Sequence, residues 1–426
     1  MSSPGGTRAG QATALWARDD VDVLIRNWVI RWWVQILIGI GIILRLADYF
    51  GGRSYWMDEG SLAGNIQSKG WAELFGPLMA NQLAPPGFLL VESILCRLFG
   101  AGTYSLRLFP LIGGIASLFL LQGVATRLLR HPGAVGIAVG LACLADDLIY
   151  YSAELKQYST DVAFGLLCYR IALDALTRTL TWGRSVAYAI LGAVVVWFSH
   201  PAVFILAGLG TVLLGSALGH RDWQRAIRQA LIGSAWVLSF VGVHWVAMEQ
   251  LGHRGEMWVF WDFAFPHLPP TSFWDVTWIV RRILYFLVNP LSFNSPLGPL
   301  PSVLAVFALL LVGCVSLAKV RPTSLGMLIL PATFTLFATY LHKYPFHGRL
   351  VLFLVPAFLM LIAEGAAWVW NATQWRVLRG AIVVVLFLFP SLDLIQSMSS
   401  PISRGFHNYV GDRRPEKLNP ARFPWE

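Results

Sequence analysis

"NWVIRWWVQILIGIGIILRLADYFGGRSYWMDEG", residues 27–60, joins a long apolar run to two adjacent carboxylates, Asp58 and Glu59. The run at 27–47 is long enough to cross a bilayer, which takes about 20 residues of helix. No small-residue cleavage site follows it, which predicts a retained first span rather than a removed leader. The acid pair then stands just beyond the membrane edge. The same alternation of apolar run and short polar hinge continues along the chain. Of 426 residues, 56% are hydrophobic and only 13% charged, against about 25% charged in soluble domains. Composition and pattern together predict an all-α polytopic membrane protein.

The formal net charge is +9, but no basic block or aromatic-basic repeat points to nucleic acid. Most arginines lie in short hinges between apolar segments, where positive charge sets membrane orientation. Arg8, Arg18 and Arg26 precede the first span, so the N-terminus is expected inside and Asp58 outside. Arg127 and Arg130, Arg178 and Arg184, then Arg221, Arg225 and Arg228 mark three further hinges. Lys319 with Arg321, and Arg376 with Arg379, mark two more. All five lie inside only if nothing crosses between 48 and 105. "PPGFLLVESILCRLFG" (85–100) is therefore read as a juxtamembrane helix; it is short, opens on two prolines and holds Glu92 and Arg97. About eleven spans and an outside C-terminus are expected, though the bases of the tail (Arg404, Arg413, Arg414, Lys417, Arg422) run against that end. A second interfacial helix is expected at "VTWIVRRILYFLV" (276–288), inside the fourth outer loop. Cys96, Cys143, Cys168 and Cys314 lack metal-ligand spacing and read as small buried apolar groups. No internal repeat is evident, which counts against a transporter built from two related halves.

With this orientation the costly polar residues gather on the outer face. The first outer loop, 48–105, brings Asp58, Glu59, Asn81 and Gln82. The second, 151–158, brings Glu154, Lys156, Gln157 and Tyr158, with Asp161 just beyond. His200 follows, and "YLHKYPFHGRLVLF" brings His342, Lys343, His347 and Arg349. Each has a plainer reading: a solvated loop acid for Asp58, a helix-start pair for Glu154 and Tyr158, a snorkelling side chain for Lys156. Asp146 and Asp147 fit either a metal-binding pair or partners for Arg170, with the structural role favoured. The histidines lack the spacing of a zinc site.

Five stretches carry a resemblance: "YWMDEGSLAGNI", "NQLAPPGFLLVE", "LRLFPLIGGIASLFLL", "IYYSAELKQYSTDVAF" and "YPFHGRLVLFLVPAFLMLIAEG". In this order they resemble the GT-C superfamily of integral-membrane glycosyltransferases, in particular the family 39-like group of protein mannosyltransferases and aminoarabinose transferases. The resemblance covers 55–170 and 344–365, and is weakest over 200–300. It implies a GT-C fold and transfer of a sugar from a polyprenyl-phosphate carrier to an extracytoplasmic acceptor, which is a protein, a lipid or a glycan. The first-loop Asp of the family is the catalytic base, a role that falls on Asp58, with Glu59 the accompanying acid. The second loop implies Glu154 as a further acid and Lys156 and Tyr158 as donor contacts. Many relatives carry His before the double proline, where this chain has Gln82. The metal-binding Asp-x-Asp pattern of some relatives is missing, so no metal or other cofactor is expected.

On this reading residues 1–26 form a cytoplasmic segment and 27–199 the conserved module with both catalytic loops. Residues 200–397 form a variable module with the long outer loop 249–300, and 398–426 a tail. Arg349, Lys156, Lys343, His347, Gln82 and Arg254 are candidate contacts for the donor or its phosphate. Trp56, Tyr151, Trp258 and Trp261 are equally sugar platforms or interfacial belt aromatics. Localisation in the inner (plasma) membrane follows from the resemblance. The alternative is a transporter or flippase of a lipid-linked anion, which would hold its charges near the bilayer midplane.

Overall fold

The computed structural model describes residues 32–251, 259–293 and 299–399. His253, Arg254 and Trp258, the terminal segment 1–26, residues 27–31 of the first span, and the bases of the tail lie outside the described residues. Among the described residues there is no strand, and each apolar segment of the sequence is a helix. They run as α1 (Trp32–Phe50), α2 (Met57–Ser68), α3 (Pro86–Phe99), α4 (Leu108–Leu128) and α5 (Pro132–Leu144). Next come α6 (Tyr158–Thr177), α7 (Trp182–Phe198), α8 (Ala202–Gly219), α9 (Trp223–Leu251) and α10 (Trp278–Val288). The chain closes with α11 (Pro299–Val320), α12 (Pro322–Tyr340), α13 (Val355–Ala372) and α14 (Arg376–Ser399). Prolines open α3, α5 and α12 in their first turn, where a missing N–H costs nothing.

Eight of these helices are long and apolar enough to cross a membrane, counting α13 with the turn that leads into it. There are nine if α5 and the short helix Asp146–Ala153, bent 63° from it, form one span. The chain is thus a multi-pass membrane protein. The difference from eleven falls on α6 and α7. Helix α6 carries Asp161, Arg170 and Asp174 in its 20 residues, and α7 has only 17. Helix α3, with 14 residues, rises about 21 Å, short of the ~30 Å hydrocarbon core. It packs instead on α2, where Leu62, Ile66, Phe88 and Leu89 form a small core of their own. Glu92 is fully buried there, and burial pushes its carboxyl well above the usual range. Its neighbour Arg97 lies over the Trp71 ring at 4.9 Å.

Helix α13 is the central post: 94% of its apolar window is buried, against 22–50% in the other candidate spans. It meets α11 through Gly313 and Gly365, where an added Cβ would strike the carbonyl oxygens of Leu361 and Leu309. Small residues at such a crossing let two backbones approach within van der Waals contact. Around this post the hinges converge at one end. Arg127 pairs with Asp174 at 2.6 Å, and Arg225 donates to the carbonyls of Ala175 and Leu176. Arg321 donates to the carbonyls of Arg127 and Leu129. The fully buried Glu364 accepts from the N–H groups of Arg130 and His131 and from Ser316 Oγ. Asn371, beside the last hinge, meets His131 at 3.3 Å. The loops 51–56, 79–85, 151–157 and 342–349 meet one another at the opposite end.

Candidate active site

Helix α2 begins at the acid pair, and the two carboxylates diverge at once. Glu59 turns inward and is 2% exposed. Its Oε1 accepts from Arg107 Nε (2.8 Å) and Leu155 N (2.7 Å). Its Oε2 accepts from Arg107 Nη2 (2.7 Å) and Trp56 N (3.0 Å). Four donors fill the lone-pair positions of one carboxylate. Arg107 spends its other N–H groups on the carbonyls of Arg53 and Ser54. The pair therefore ties the start of α2, the loop before α4 and the second loop into one unit. Glu59, the accompanying acid of the sequence reading, is thus saturated by protein groups.

Asp58, one residue earlier, faces the other way. Its Oδ2 accepts from Arg349 Nη2 at 3.0 Å, and the two side chains are 16% and 14% exposed. Arg349 stands in the tight turn Gly348–Leu354 ahead of α13, with its guanidinium 5.6 Å above the Tyr158 ring. Tyr158 opens α6 and is braced edge-on by Tyr151 at 5.1 Å. Glu154 precedes that helix in extended conformation, so it does not share a helical face with Tyr158 as their spacing predicts.

Lys156 is buried, and its Nζ donates to Gln82 Oε1 at 2.5 Å. Burial brings its ammonium down to about 8, opposed first by the charge of Asp58, with Arg349 lowering it and Glu154 and Glu59 raising it. Glu154 is also buried, and its Oε1 has no hydrogen-bond partner among the described residues. Burial, then the charge of Glu59, pushes this carboxyl up to about 7, opposed by Arg349, Arg53 and Lys156. Desolvation disfavours the charged form of either group, so both titrate nearer neutrality than they would in water.

Gln82 reaches Lys156 because the first loop is pinned from two sides. Asn65 of α2 exchanges hydrogen bonds with the backbone of Met79. Gln250, at the end of α9, donates to Leu74 O and accepts from Ala84 N, while its carbonyl accepts from Leu78 N. Between these anchors Ala80 and Asn81 take left-handed backbone, φ 57° and 51°, which turns Gln82 inward.

The remaining candidates divide. His347 is buried, stacked on Tyr285 at 4.9 Å and 3.3 Å from an Arg282 guanidinium nitrogen. Phe263 and Trp261 close on the same ring. The interfacial helix α10 thus supplies the roof two residues from Arg349. Lys343 is exposed, and the protein contacts from its segment run through His347 and Arg349. Asp146 accepts from Ser397 Oγ, while Arg170 pairs with Asp174, so the acid pair is not the partner of Arg170.

Two arginines of the site were not singled out from the sequence. Arg107 and Arg53 are the first cations met outside α4 and α1, a position that invites the belt reading. Arg53 pairs with Asp48 at 3.2 Å, donates to Ala153 O and lies 4.2 Å over the Tyr150 ring. The available signal was the clustering of Asp48, Arg53 and Asp58 at five-residue intervals.

No family model matches the chain, and no curated protein matches it in sequence. Solved structures do match. ArnT from Cupriavidus metallidurans, bound to undecaprenyl phosphate, aligns with a TM-score of 0.51 at 16% identity, over 89% of this chain and 76% of ArnT. The Archaeoglobus fulgidus oligosaccharyltransferase, in complex with Zn and sulfate, aligns with a TM-score of 0.56 at 15% identity. That match covers 86% of this chain but 53% of the archaeal one. AglB from the same organism, with an inhibitory peptide and a dolichol-phosphate, gives 0.55 at 13% identity, over 88% of this chain and 56% of AglB. The chain spans little more than half the length of these archaeal enzymes. At such identities the likeness is one of fold, and both proteins are GT-C glycosyltransferases. This chain has the GT-C fold.

Proposed function

We propose that the protein is a membrane glycosyltransferase that moves a sugar from a polyprenyl-phosphate carrier to an extracytoplasmic acceptor, with Asp58 as the base. The observation that carries this reading is the partly buried Asp58 standing within hydrogen-bond reach of Arg349, beside Lys156. The fold adds support, because structures sharing it hold undecaprenyl phosphate and dolichol-phosphate. In the reaction an acceptor hydroxyl attacks the anomeric carbon and gives its proton to a carboxylate oxygen of Asp58. The bond from that carbon to the carrier phosphate breaks, and its electron pair leaves on the phosphate oxygen. The leaving group is already anionic, so it needs positive charge rather than an acid. Arg349 supplies a planar fork for it and Lys156 a point charge. Gln82 orients Lys156, Tyr158 supports Arg349, and Glu154 adjusts the charge beneath them. No step in this scheme is assigned to a metal. A transporter would hold such charges at mid-membrane, whereas these lie at the end of the bundle opposite the basic hinges.

The test is release of carrier phosphate when the purified protein is given a panel of polyprenyl-phosphate sugars with cell-envelope acceptors. Asp58→Asn should lower turnover by about 10²-fold or more while the protein elutes and melts as the wild type does. Turnover close to wild type in that variant would remove Asp58 as the base.

A further inference from the structure

Resting on that reading of the site, we infer that Asp58 and the donor phosphate compete for Arg349, so that arrival of the donor frees the base. Two of the acids in the cluster are already matched: Glu59 with Arg107 and Asp48 with Arg53. Asp58 is held by Arg349, the cation that the proposed scheme offers to the leaving phosphate. A bound phosphate brings negative charge to that same guanidinium. Something must yield, and the geometry favours the contact between Asp58 and Arg349. The Glu59–Arg107 pair is closed off at 2–3% exposure, whereas Asp58 and Arg349 keep 16% and 14% and meet through Arg349 Nη2 at 3.0 Å. The guanidinium lies over the face of Tyr158, a surface across which it can turn while its backbone stays in the packed turn before α13. Paired with an arginine, a carboxylate is a weak proton acceptor; released, it is a stronger one. The device couples base strength to donor occupancy and keeps Asp58 idle in the empty site.

Undecaprenyl phosphate in detergent solution is the probe, because binding can be measured without knowing sugar or acceptor. Asp58→Asn should bind it roughly tenfold tighter than wild type, the scale of one charge-assisted hydrogen bond no longer competing. Arg349→Gln should bind roughly tenfold weaker. The gain from Asp58→Asn should vanish in the Arg349→Gln background, since the two effects then share one guanidinium. Three results overturn the inference while leaving the donor class standing. These are an Asp58→Asn variant that binds no tighter, a gain that persists in full without Arg349, and an Arg349→Gln variant that binds as wild type. Persistence would mean simple charge repulsion by Asp58. Wild-type protein that fails to bind the carrier phosphate would instead remove the donor reading, and the competition with it. If Arg349→Gln does not fold, Arg349→Lys carries the same cycle, with part of the Asp58→Asn gain retained.

Discussion

Asp58 and Glu59 are adjacent, share a charge and open the same helix, yet their surroundings differ. Helix geometry separates neighbouring side chains by about 100°, so one acid enters the protein while the other faces the site. Glu154 extends the contrast, as an acid buried without a full set of donors. Its folded-state pKa, about 7, lies above the usual carboxylate value of 4.5. The folded state therefore holds this proton more tightly than the unfolded chain does. Stability falls as pH rises from about 4.5 to about 7, then levels, as the charged form is forced into a buried place. Glu154→Gln should flatten that slope and raise stability above pH 7 by roughly 1–3 kcal/mol. Thermal unfolding in detergent between pH 5 and 8 checks it; a variant with the wild-type slope would mean Glu154 is charged throughout.

At the scale of elements, the buried Glu59–Arg107 pair joins segments 48 and 96 residues apart in sequence. Removing one partner strands an uncompensated charge, which typically costs about 3–5 kcal/mol. Arg107→Leu or Glu59→Leu should therefore lower the unfolding midpoint sharply. The double variant should recover much of that loss, because two buried charges disappear together. Equal melting of single and double variants would show that backbone contacts, not the ion pair, hold the loops. These partners were hard to read from the chain. Arg107 sits in front of an apolar helix like any interfacial arginine, and only its two bonds to Glu59 at the start of α2 make it a clamp. Lys343 is the converse case: it looks like a site cation beside His347 and Arg349, but the turn that carries it leaves it exposed.

For the whole molecule, the basic hinges predict one inner end, and the contacts among Arg127, Asp174, Arg225 and Arg321 bring them to one end. Membrane-impermeant maleimide tests which side that end faces, in intact cells whose protein lacks Cys96 and Cys314. Ser68→Cys, exposed at the last residue of α2, should label from outside. Arg130→Cys and Arg178→Cys should label only after the cells are opened. Labelling of the two arginine positions from opposite sides would contradict the shared end, and reversed labelling of all three would invert the orientation.

The sequence by itself determined the helices, their approximate limits, the two-ended distribution of charge and which loops carry the costly polar residues. Each of those follows from a property local to a segment: bilayer solvent acts on every apolar run separately, and each hinge carries its own charge. Tertiary structure alone decided which polar residue meets which. The bond between Asp58 and Arg349 spans 291 positions, and the saturation of Glu59 depends on three segments packing at once. Pairing of that kind comes from how helices cross, and no single stretch of sequence contains it.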